Sequence, residues 1–272
     1  MTPLVAPDEL LDELDRWTVL DVRWQLGRTD GREQHEAGHV PGAAYVDLET
    51  DLADPPGARG RHPLPDPDRF VAAMRRCGVS HERPVVVYDD VSGTSAARAW
   101  WLLRHHGHPH VRVLDGGWSW WLEVGGPVET GPVTPPYGDF VPGADVMPVL
   151  DAAGAAELAS GGVLVDARAP ERFRGEVEPV DPVAGRIPGA VNVPTARNLV
   201  AEGDRADRFR SAGELAAAYD LPAGARVGVY CGSGVTAAHD VLALEVLGVS
   251  AALYPGSWSE WVTDPSRPVE RG

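Results

Sequence analysis

One of the two cysteines in this 272-residue chain lies in a context suited to nucleophilic chemistry. Cys231 follows the apolar run Val227-Gly228-Val229-Tyr230 and precedes the turn Gly232-Ser233-Gly234-Val235-Thr236, where a helical pattern begins. Backbone N–H groups converge on a cysteine in such a strand-to-helix turn, and they stabilise its thiolate. Gly232 and Gly234 are free to adopt a positive φ and bring the backbone close to the sulfur. The loop therefore predicts a reactive thiol.

The other cysteine, Cys77, stands before Gly78 at the end of a helical pattern and indicates a buried helix-end residue. Two cysteines are too few for a disulfide framework in a chain of this length, which favours a reducing compartment. The first fifteen residues carry acidic but no basic side chains, unlike a signal peptide. We therefore expect a cytoplasmic protein.

The charge balance restricts the partners. Lys and Arg total 24 against 40 for Asp and Glu, a net charge of −16, which repels phosphate backbones and anionic membrane surfaces. We expect neither nucleic acid nor membrane as a partner. A site for a small anion must then rest on local arginines and backbone amides.

The chain contains an internal repeat, with corresponding stretches 140 to 147 residues apart. The stretches in the first half are Leu20-Asp21-Val22-Arg23, Gly38-His39-Val40-Pro41-Gly42-Ala43, Val87-Tyr88-Asp89 and Gly116-Gly117-Trp118-Ser119-Trp120-Trp121. Those in the second half are Val165-Asp166-Ala167-Arg168, Gly185-Arg186-Ile187-Pro188-Gly189-Ala190, Val229-Tyr230-Cys231 and Pro255-Gly256-Ser257-Trp258-Ser259-Glu260-Trp261. This period indicates two tandem homologous domains.

Short β-branched runs alternate with helical segments, such as residues 95–106 and 236–247, each followed by a glycine. This alternation predicts an α/β fold in which each domain is a mainly parallel sheet flanked by helices. A stretch rich in Gly and Pro separates the halves. We expect a first domain at 1–126, a linker at 127–148 and a second domain at 149–272. Cys231 then lies at the carboxyl end of a strand, where such sheets bind ligands.

The first half has Asp89 where the second has Cys231. A carboxylate is not a nucleophile toward sulfur. We therefore expect the first domain to be catalytically silent and the second to be catalytic.

The repeated Asp-x-Arg, the Gly-His-x-Pro-Gly-Ala stretch, the strand-terminal cysteine loop and the late Gly-x-Trp together resemble the rhodanese superfamily. The loop Cys-Gly-Ser-Gly-Val-Thr is similar to that of the 3-mercaptopyruvate sulfurtransferases. The resemblance implies transfer of a sulfane sulfur from 3-mercaptopyruvate, through a Cys231 persulfide, to cyanide or a thiol acceptor such as a thioredoxin-like protein. It implies neither a metal nor an organic cofactor.

The resemblance also implies roles for residues of the first half. Tyr45-Val46-Asp47-Leu48-Glu49 and Arg61-His62-Pro63-Leu64-Pro65 match family segments that carry an acidic residue and a histidine near the loop serine. Glu49, His62 and Ser233 would then form a proton relay. The family has Asp where this chain has Glu49.

Substrate-binding residues follow from the same resemblance. Arg172-Phe173-Arg174-Gly175 matches a segment whose first arginine binds the substrate carboxylate, a task that suits a guanidinium. Arg172 would act with the loop residues Gly232, Gly234, Val235 and Thr236. A second substrate arginine is expected near Val180-Asp181, and none is present there.

Other repeated residues indicate structural roles. Asp21 with Arg23, and Asp166 with Arg168, predict ion pairs at strand ends because the motif is also present in the silent half. The tryptophans spaced three residues apart near each domain's end predict core packing of a terminal helix. They are Trp118, Trp121, Trp258 and Trp261.

Three alternatives stand beside this interpretation. A thiosulfate:cyanide sulfurtransferase is the nearest, although that group usually has Arg and Lys where this chain has Gly232 and Ser233. A non-catalytic rhodanese-like binding module fits Asp89 but not the Cys231 loop. A tyrosine phosphatase of the same fold needs an arginine six residues after the cysteine, where Ala237 stands.

Overall fold

The computed structural model describes residues 2–144, 146–203 and 206–272. The chain folds into two compact units. The first comprises Met1–Asp54, Pro65–Val146 and Ala206–Arg208, and the second comprises Pro55–Leu64, Met147–Arg205 and Phe209–Gly272. The segment Pro55–Leu64, although it lies early in the chain, therefore packs with the second unit.

The first unit contains a five-stranded sheet in the order β1-β5-β4-β2-β3, with every pair parallel. Its strands are β1 (Leu4–Val5), β2 (Thr18–Asp21), β3 (Ala44–Tyr45), β4 (Val85–Tyr88) and β5 (Val111–Leu114). Its helices are α1 (Pro7–Asp12), α2 (Gly31–Ala37), α3 (Leu48–Asp51), α4 (Pro67–Arg76), α5 (Thr94–His105) and α6 (Gly117–Glu123). A 3₁₀ turn spans Leu14–Arg16.

The second unit has a four-stranded parallel sheet in the order β7-β6-β8-β9. Its strands are β6 (Val163–Asp166), β7 (Val191–Asn192), β8 (Val227–Tyr230) and β9 (Ala251–Leu253). Its helices are α7 (Ala152–Gly161), α8 (Pro170–Phe173), α9 (Ala212–Tyr219), α10 (Thr236–Val246) and α11 (Ser257–Trp261), and a 3₁₀ turn spans Thr195–Asn198.

The two sheets confirm the predicted α/β class. All four residues of β4, and all four of β8, are buried, as expected for central strands of parallel sheets covered on both faces. The predicted helices are confirmed as α5 and α10, which end where Gly107 and Gly248 adopt left-handed φ values of 83° and 71°.

Both Asp-x-Arg motifs form the predicted ion pairs within their own units. Arg23 Nη2 lies 2.6 Å from Asp21 Oδ2, and Arg168 Nη2 lies 2.6 Å from Asp166 Oδ2. Each arginine also donates to the carbonyl of a glycine, Gly38 or Gly185. These buried contacts tie the end of a strand to the following loop in each unit.

The repeated tryptophans are core residues, as predicted. Trp118 and Trp121 belong to the core of the first unit, and Trp258 and Trp261 to that of the second. Cys77 is likewise confirmed as a buried residue at the end of α4.

Residues 127–144 of the expected linker contain neither helix nor strand, and Asp145 lies outside the described residues. The segment packs along the first unit through a bridge between His39 and Glu129 and through the buried Phe140. Among the residues that the structure describes, no helix is long and apolar enough to cross a membrane.

Candidate active site

Cys231 lies in the turn between β8 and α10, at the carboxyl end of a strand with neighbours on both sides. Its side chain is only 3% exposed. The backbone N–H of Gly234 donates to Cys231 Sγ across 3.2 Å. This contact fixes the position of the sulfur within the turn.

The two loop glycines differ in backbone conformation and in what lies beside them. Gly234 has a φ of 78°, and a Cβ there would lie 2.2 Å from the carbonyl oxygen of Pro255. Gly232, by contrast, does not adopt the positive φ that the sequence suggested. The missing side chain of Gly232 leaves room for Arg61, because a Cβ at this position would lie 2.9 Å from Arg61 Nη2.

The turn at the start of α11 holds the cysteine backbone. The N–H of Cys231 donates to Ser257 Oγ across 3.1 Å, and the Ser257 hydroxyl donates to the carbonyl of Tyr254 across 2.9 Å. Ser257 has a φ of 53°, which is unusual for a residue with a side chain. The carbonyls of Cys231 and Gly232 accept from the N–H groups of Trp258 and Ser259. Hydrogen bonds thus hold both the backbone N–H and the backbone carbonyl of Cys231.

Ser233 and His62 form a buried pair beside the cysteine. Ser233 Oγ lies 2.8 Å from His62 Nδ1, and the two side chains are 9% and 4% exposed. His62 is part of Pro55–Leu64, which packs with the second unit. Two of the predicted relay residues are therefore in hydrogen-bond contact.

Two arginines lie next to the cysteine loop. A Cβ on Gly232 would be 2.9 Å from Arg61 Nη2 and 3.5 Å from both Nη atoms of Arg172. Arg172, for which the sequence predicted substrate binding, lies in α8, whereas Arg61 immediately precedes His62. Arg174, the other arginine of that motif, pairs with Glu176 and is largely exposed.

Two buried carboxylates hold these arginines. Arg172 Nη2 lies 2.6 Å from Glu178 Oε1 and 3.5 Å from Asp181 Oδ2, and Arg61 Nη1 donates to Asp181 Oδ1. Burial disfavours the charged form of Glu178. Hydrogen bonds to its carboxylate, first among them the one from Arg172, outweigh this effect of burial and lower the pKa of Glu178. Burial raises the pKa of Asp181, although the charge of Arg61 acts in the opposite direction.

Glu49, the third residue of the predicted relay, belongs to the first unit. Its Oε1 accepts a hydrogen bond of 3.0 Å from Trp24 Nε1, and it lines a cavity of about 310 Å³. Polar side chains such as Arg28 and Asp47 also line this cavity.

Asp89 occupies a cradle of backbone amides in the first unit. Its wholly buried carboxylate accepts hydrogen bonds of 2.7 to 2.9 Å from four backbone N–H groups. The donors are Val91, Gly93, Ser95 and Ala96. The carboxylate itself therefore fills the place where amides would otherwise hold an external anion.

Sequence reasoning missed several residues around the cysteine. Ser257 is signalled by the repeat, because it replaces Gly117, which has a φ of 56° in the first unit. Arg61 is adjacent to the predicted His62. Nothing in the sequence marked Glu178 and Asp181 as partners of the arginines, except that they lie close to the position where a second substrate arginine was expected. Within residues 2–144, 146–203 and 206–272, no cluster of three or more His, Cys, Asp or Glu side chains is arranged to hold a metal ion.

Comparison with known proteins agrees with this architecture. The profile described as "Rhodanese-like domain" matches residues 6–124 and 151–264. A protein of Mycobacterium tuberculosis named "Putative thiosulfate sulfurtransferase SseB" is 50% identical over 270 residues, which are 95% of this chain and 92% of that protein. The 3-mercaptopyruvate sulfurtransferase of Escherichia coli is 36% identical over 287 residues, covering 99% and 98% of the two chains.

A solved structure agrees as well. The 3-mercaptopyruvate sulfurtransferase from Leishmania major matches with a TM-score of 0.86 and 30% identity, over 98% of this chain and 75% of that one. The chain belongs to the rhodanese family and has two rhodanese domains. It is an enzyme of the sulfurtransferase class.

Proposed function

We propose that the chain transfers a sulfane sulfur from 3-mercaptopyruvate to a thiol or to cyanide through a persulfide on Cys231. The observation that carries this proposal is the contact of 2.8 Å between Ser233 and His62 beside the cysteine. A carbon leaving group must gain a proton when its bond to sulfur breaks, whereas sulfite leaves without one. A buried pair able to deliver a proton therefore favours the mercaptopyruvate reaction.

In the first half-reaction the Cys231 thiolate attacks the sulfur of the donor. A sulfur–sulfur bond forms, and the electron pair of the carbon–sulfur bond passes to the carbon as the enolate of pyruvate. Ser233 delivers a proton to that carbon and is resupplied by His62, which yields pyruvate. We extend this relay to Glu49 on the family resemblance.

The arginines and the loop amides bind the donor. Arg172 pairs with its carboxylate, and the loop residues Gly232, Gly234, Val235 and Thr236 lie around the transferred sulfur. Val235 is the N-cap of α10 and Thr236 is its first residue, so their N–H groups lie at the amino end of the helix, where anions are stabilised.

In the second half-reaction an acceptor attacks the outer sulfur of the persulfide. Cyanide leaves as thiocyanate, and a thiolate becomes a persulfide, while Cys231 regains its thiolate. Two half-reactions on one nucleophile predict ping-pong kinetics. Both cysteines are free thiols, which fits a reducing, cytoplasmic setting and a small thiol or a thioredoxin-like protein as acceptor.

Thiosulfate is the second candidate donor. The relative that is 50% identical is named for thiosulfate. Arg61 and Arg172 beside Gly232 also supply cations that a dianion and departing sulfite would use. Their buried partners Glu178 and Asp181 offset those charges, which favours a monoanionic donor.

Release of pyruvate and of sulfite from the two donors, measured in parallel, tests the choice. We expect kcat/KM for mercaptopyruvate to exceed that for thiosulfate by at least about tenfold. Equal or faster turnover of thiosulfate would transfer the assignment to the second candidate.

Intact-mass analysis tests the persulfide. Donor treatment without an acceptor should add one sulfur, about 32 Da, to the wild type and nothing to Cys231→Ser. Burial raises the pKa of Cys77 to about 11, so Cys77 should not be labelled. A gain of mass in Cys231→Ser would refute Cys231 as the carrier.

A further inference from the structure

The helix α11 contacts two loops of the second unit through a single residue, Ser259, which is buried. Its N–H donates across 2.9 Å to the carbonyl of Gly232, the residue after the nucleophile. Its Oγ accepts across 3.1 Å from the N–H of Arg61, the residue before His62. Ser259 therefore links the backbone beside Cys231 to the backbone beside His62.

The loop that carries His62 lies tightly against Ser259. The Ser259 hydroxyl donates to the carbonyl of Gly256 across 3.1 Å, which orients its oxygen. Gly60 has a φ of 98°, and a Cβ there would lie 2.8 Å from both Ser259 Oγ and the carbonyl oxygen of Gly256. The absence of a side chain at position 60 leaves room for this approach.

The internal repeat shows that this contact is not a general property of the helix. Ser119 stands in the first unit where Ser259 stands in the second. Ser119 is exposed, and its hydroxyl donates to Asp90 Oδ1 across 2.7 Å. The turn of α6 thus forms with its serine bound to a different partner. The formation of α11 alone therefore does not explain why Ser259 holds the loop that carries His62.

We infer that Ser259 is a positioning residue of the Cys231 site, which holds residues 57–62 so that the His62 ring meets the Ser233 hydroxyl. This inference rests on the proposed function for the reaction that the pair serves. The contact of 2.8 Å between His62 and Ser233 tolerates little displacement, because hydrogen bonds weaken steeply with distance and angle. Loss of an anchor one residue away from His62 should therefore misplace its ring.

Single-turnover kinetics at saturating donor test this role. Ser259→Ala should slow pyruvate release from mercaptopyruvate by about tenfold, because the proton relay is misaligned. Sulfite release from thiosulfate should stay within about twofold of wild type, since sulfite needs no proton. Ser119→Ala is the matched control, and we expect neither rate to change by more than about twofold. Equal losses with both donors in Ser259→Ala would overturn the inference.

A double-mutant cycle tests whether Ser259 acts through His62. In a His62→Asn background, Ser259→Ala should change pyruvate release by less than about twofold, because the ring that Ser259 positions is already gone. If the effects of the two substitutions multiply instead, Ser259 acts independently of His62 and the inference is wrong.

Gly60→Ala disturbs the same contact from the other side and guards against a folding defect in Ser259→Ala. The added Cβ should push the loop away from Ser259, so pyruvate release should slow as it does in Ser259→Ala. Gly57→Ala is the control, because a Cβ on Gly57 would meet no atom within 4 Å. Similar rates in Gly60→Ala and Gly57→Ala would contradict the positioning role.

NMR of the chain with isotopically labelled histidine separates this inference from the proposed function. His62→Asn identifies the His62 ring signal by its disappearance. Ser259→Ala should shift that signal in the same direction as Ser233→Ala does, because both substitutions disturb the contact between His62 and Ser233. Release of sulfite but no pyruvate by the wild type would show that the proposed donor is wrong, and would leave this measurement valid. An unchanged His62 signal in Ser259→Ala would refute the positioning role.

Discussion

Ser233 Oγ and His62 Nδ1 lie 2.8 Å apart although the two residues are separated by 171 positions in the chain. The contact forms because Pro55–Leu64 packs with the second unit, against α11 and the cysteine loop. A hydroxyl and an imidazole in a buried contact are suited to proton transfer.

Loss of the hydroxyl should affect the two donors differently. Ser233→Ala should lower kcat with mercaptopyruvate by about 10²-fold or more, because the enolate then lacks its proton source. Turnover of thiosulfate should change far less, since sulfite needs no proton. His62→Asn, which keeps a hydrogen-bond partner for Ser233 but no titrating ring, should reproduce this selectivity. Equal losses with both donors would indicate a structural role.

Arg172 should contribute to donor binding through charge-assisted hydrogen bonds. Arg172→Ala should lower kcat/KM by about one to three decades, the equivalent of about 1.5–4 kcal/mol. Arg174→Ala is the control, since that exposed arginine pairs with Glu176. A value for Arg172→Ala close to that of Arg174→Ala would remove Arg172 from the site.

Ser257 should stabilise the cysteine loop despite its own strained backbone. Ser257→Ala loses the acceptor for the Cys231 N–H but keeps a Cβ at positive φ, and should reduce the free energy of unfolding by about 1–3 kcal/mol. Ser257→Gly loses the same acceptor and relieves the strain, so it should be destabilised less. Denaturant unfolding compares them, and a Gly variant less stable than the Ala variant would contradict this account.

Asp240, buried in α10, should make stability depend on pH. Burial raises the pKa of Asp240 from 3.8 to about 8, although Thr195 and Asn198 donate to its Oδ1. Between these pH values the folded state binds one proton more than the unfolded state. The free energy of unfolding should therefore fall as pH rises, by at most about 1.4 kcal/mol per pH unit.

Urea unfolding at pH 5 and pH 7.5 checks this dependence. Asp240→Asn keeps an acceptor for Thr195 and Asn198 without a titrating group, so its stability should change less between the two pH values. Asp12→Asn, a substitution of an exposed carboxylate, should retain the wild-type dependence. An unchanged slope in Asp240→Asn would assign the dependence to other groups.

The sequence alone was sufficient for the fold class, the position of Cys231 at a strand end, the strand-end ion pairs and the role of the tryptophans. These features are local or repeated. A strand, a glycine turn and a helix follow from residue types within about ten positions, and the second copy of each motif separated structural residues such as Asp21 from the unique Cys231.

The surroundings of the sulfur were decided by tertiary structure. The residues directly after Cys231 are Gly232 and Ser233, and neither is a cation, yet Arg61 and Arg172 reach Gly232 from segments that lie far away in sequence. Gly232 leaves room for this close approach and does not adopt a positive φ. Such proximity depends on which loops pack together and on which carboxylates, here Glu178 and Asp181, hold the side chains. Local residue preferences do not specify that pairing.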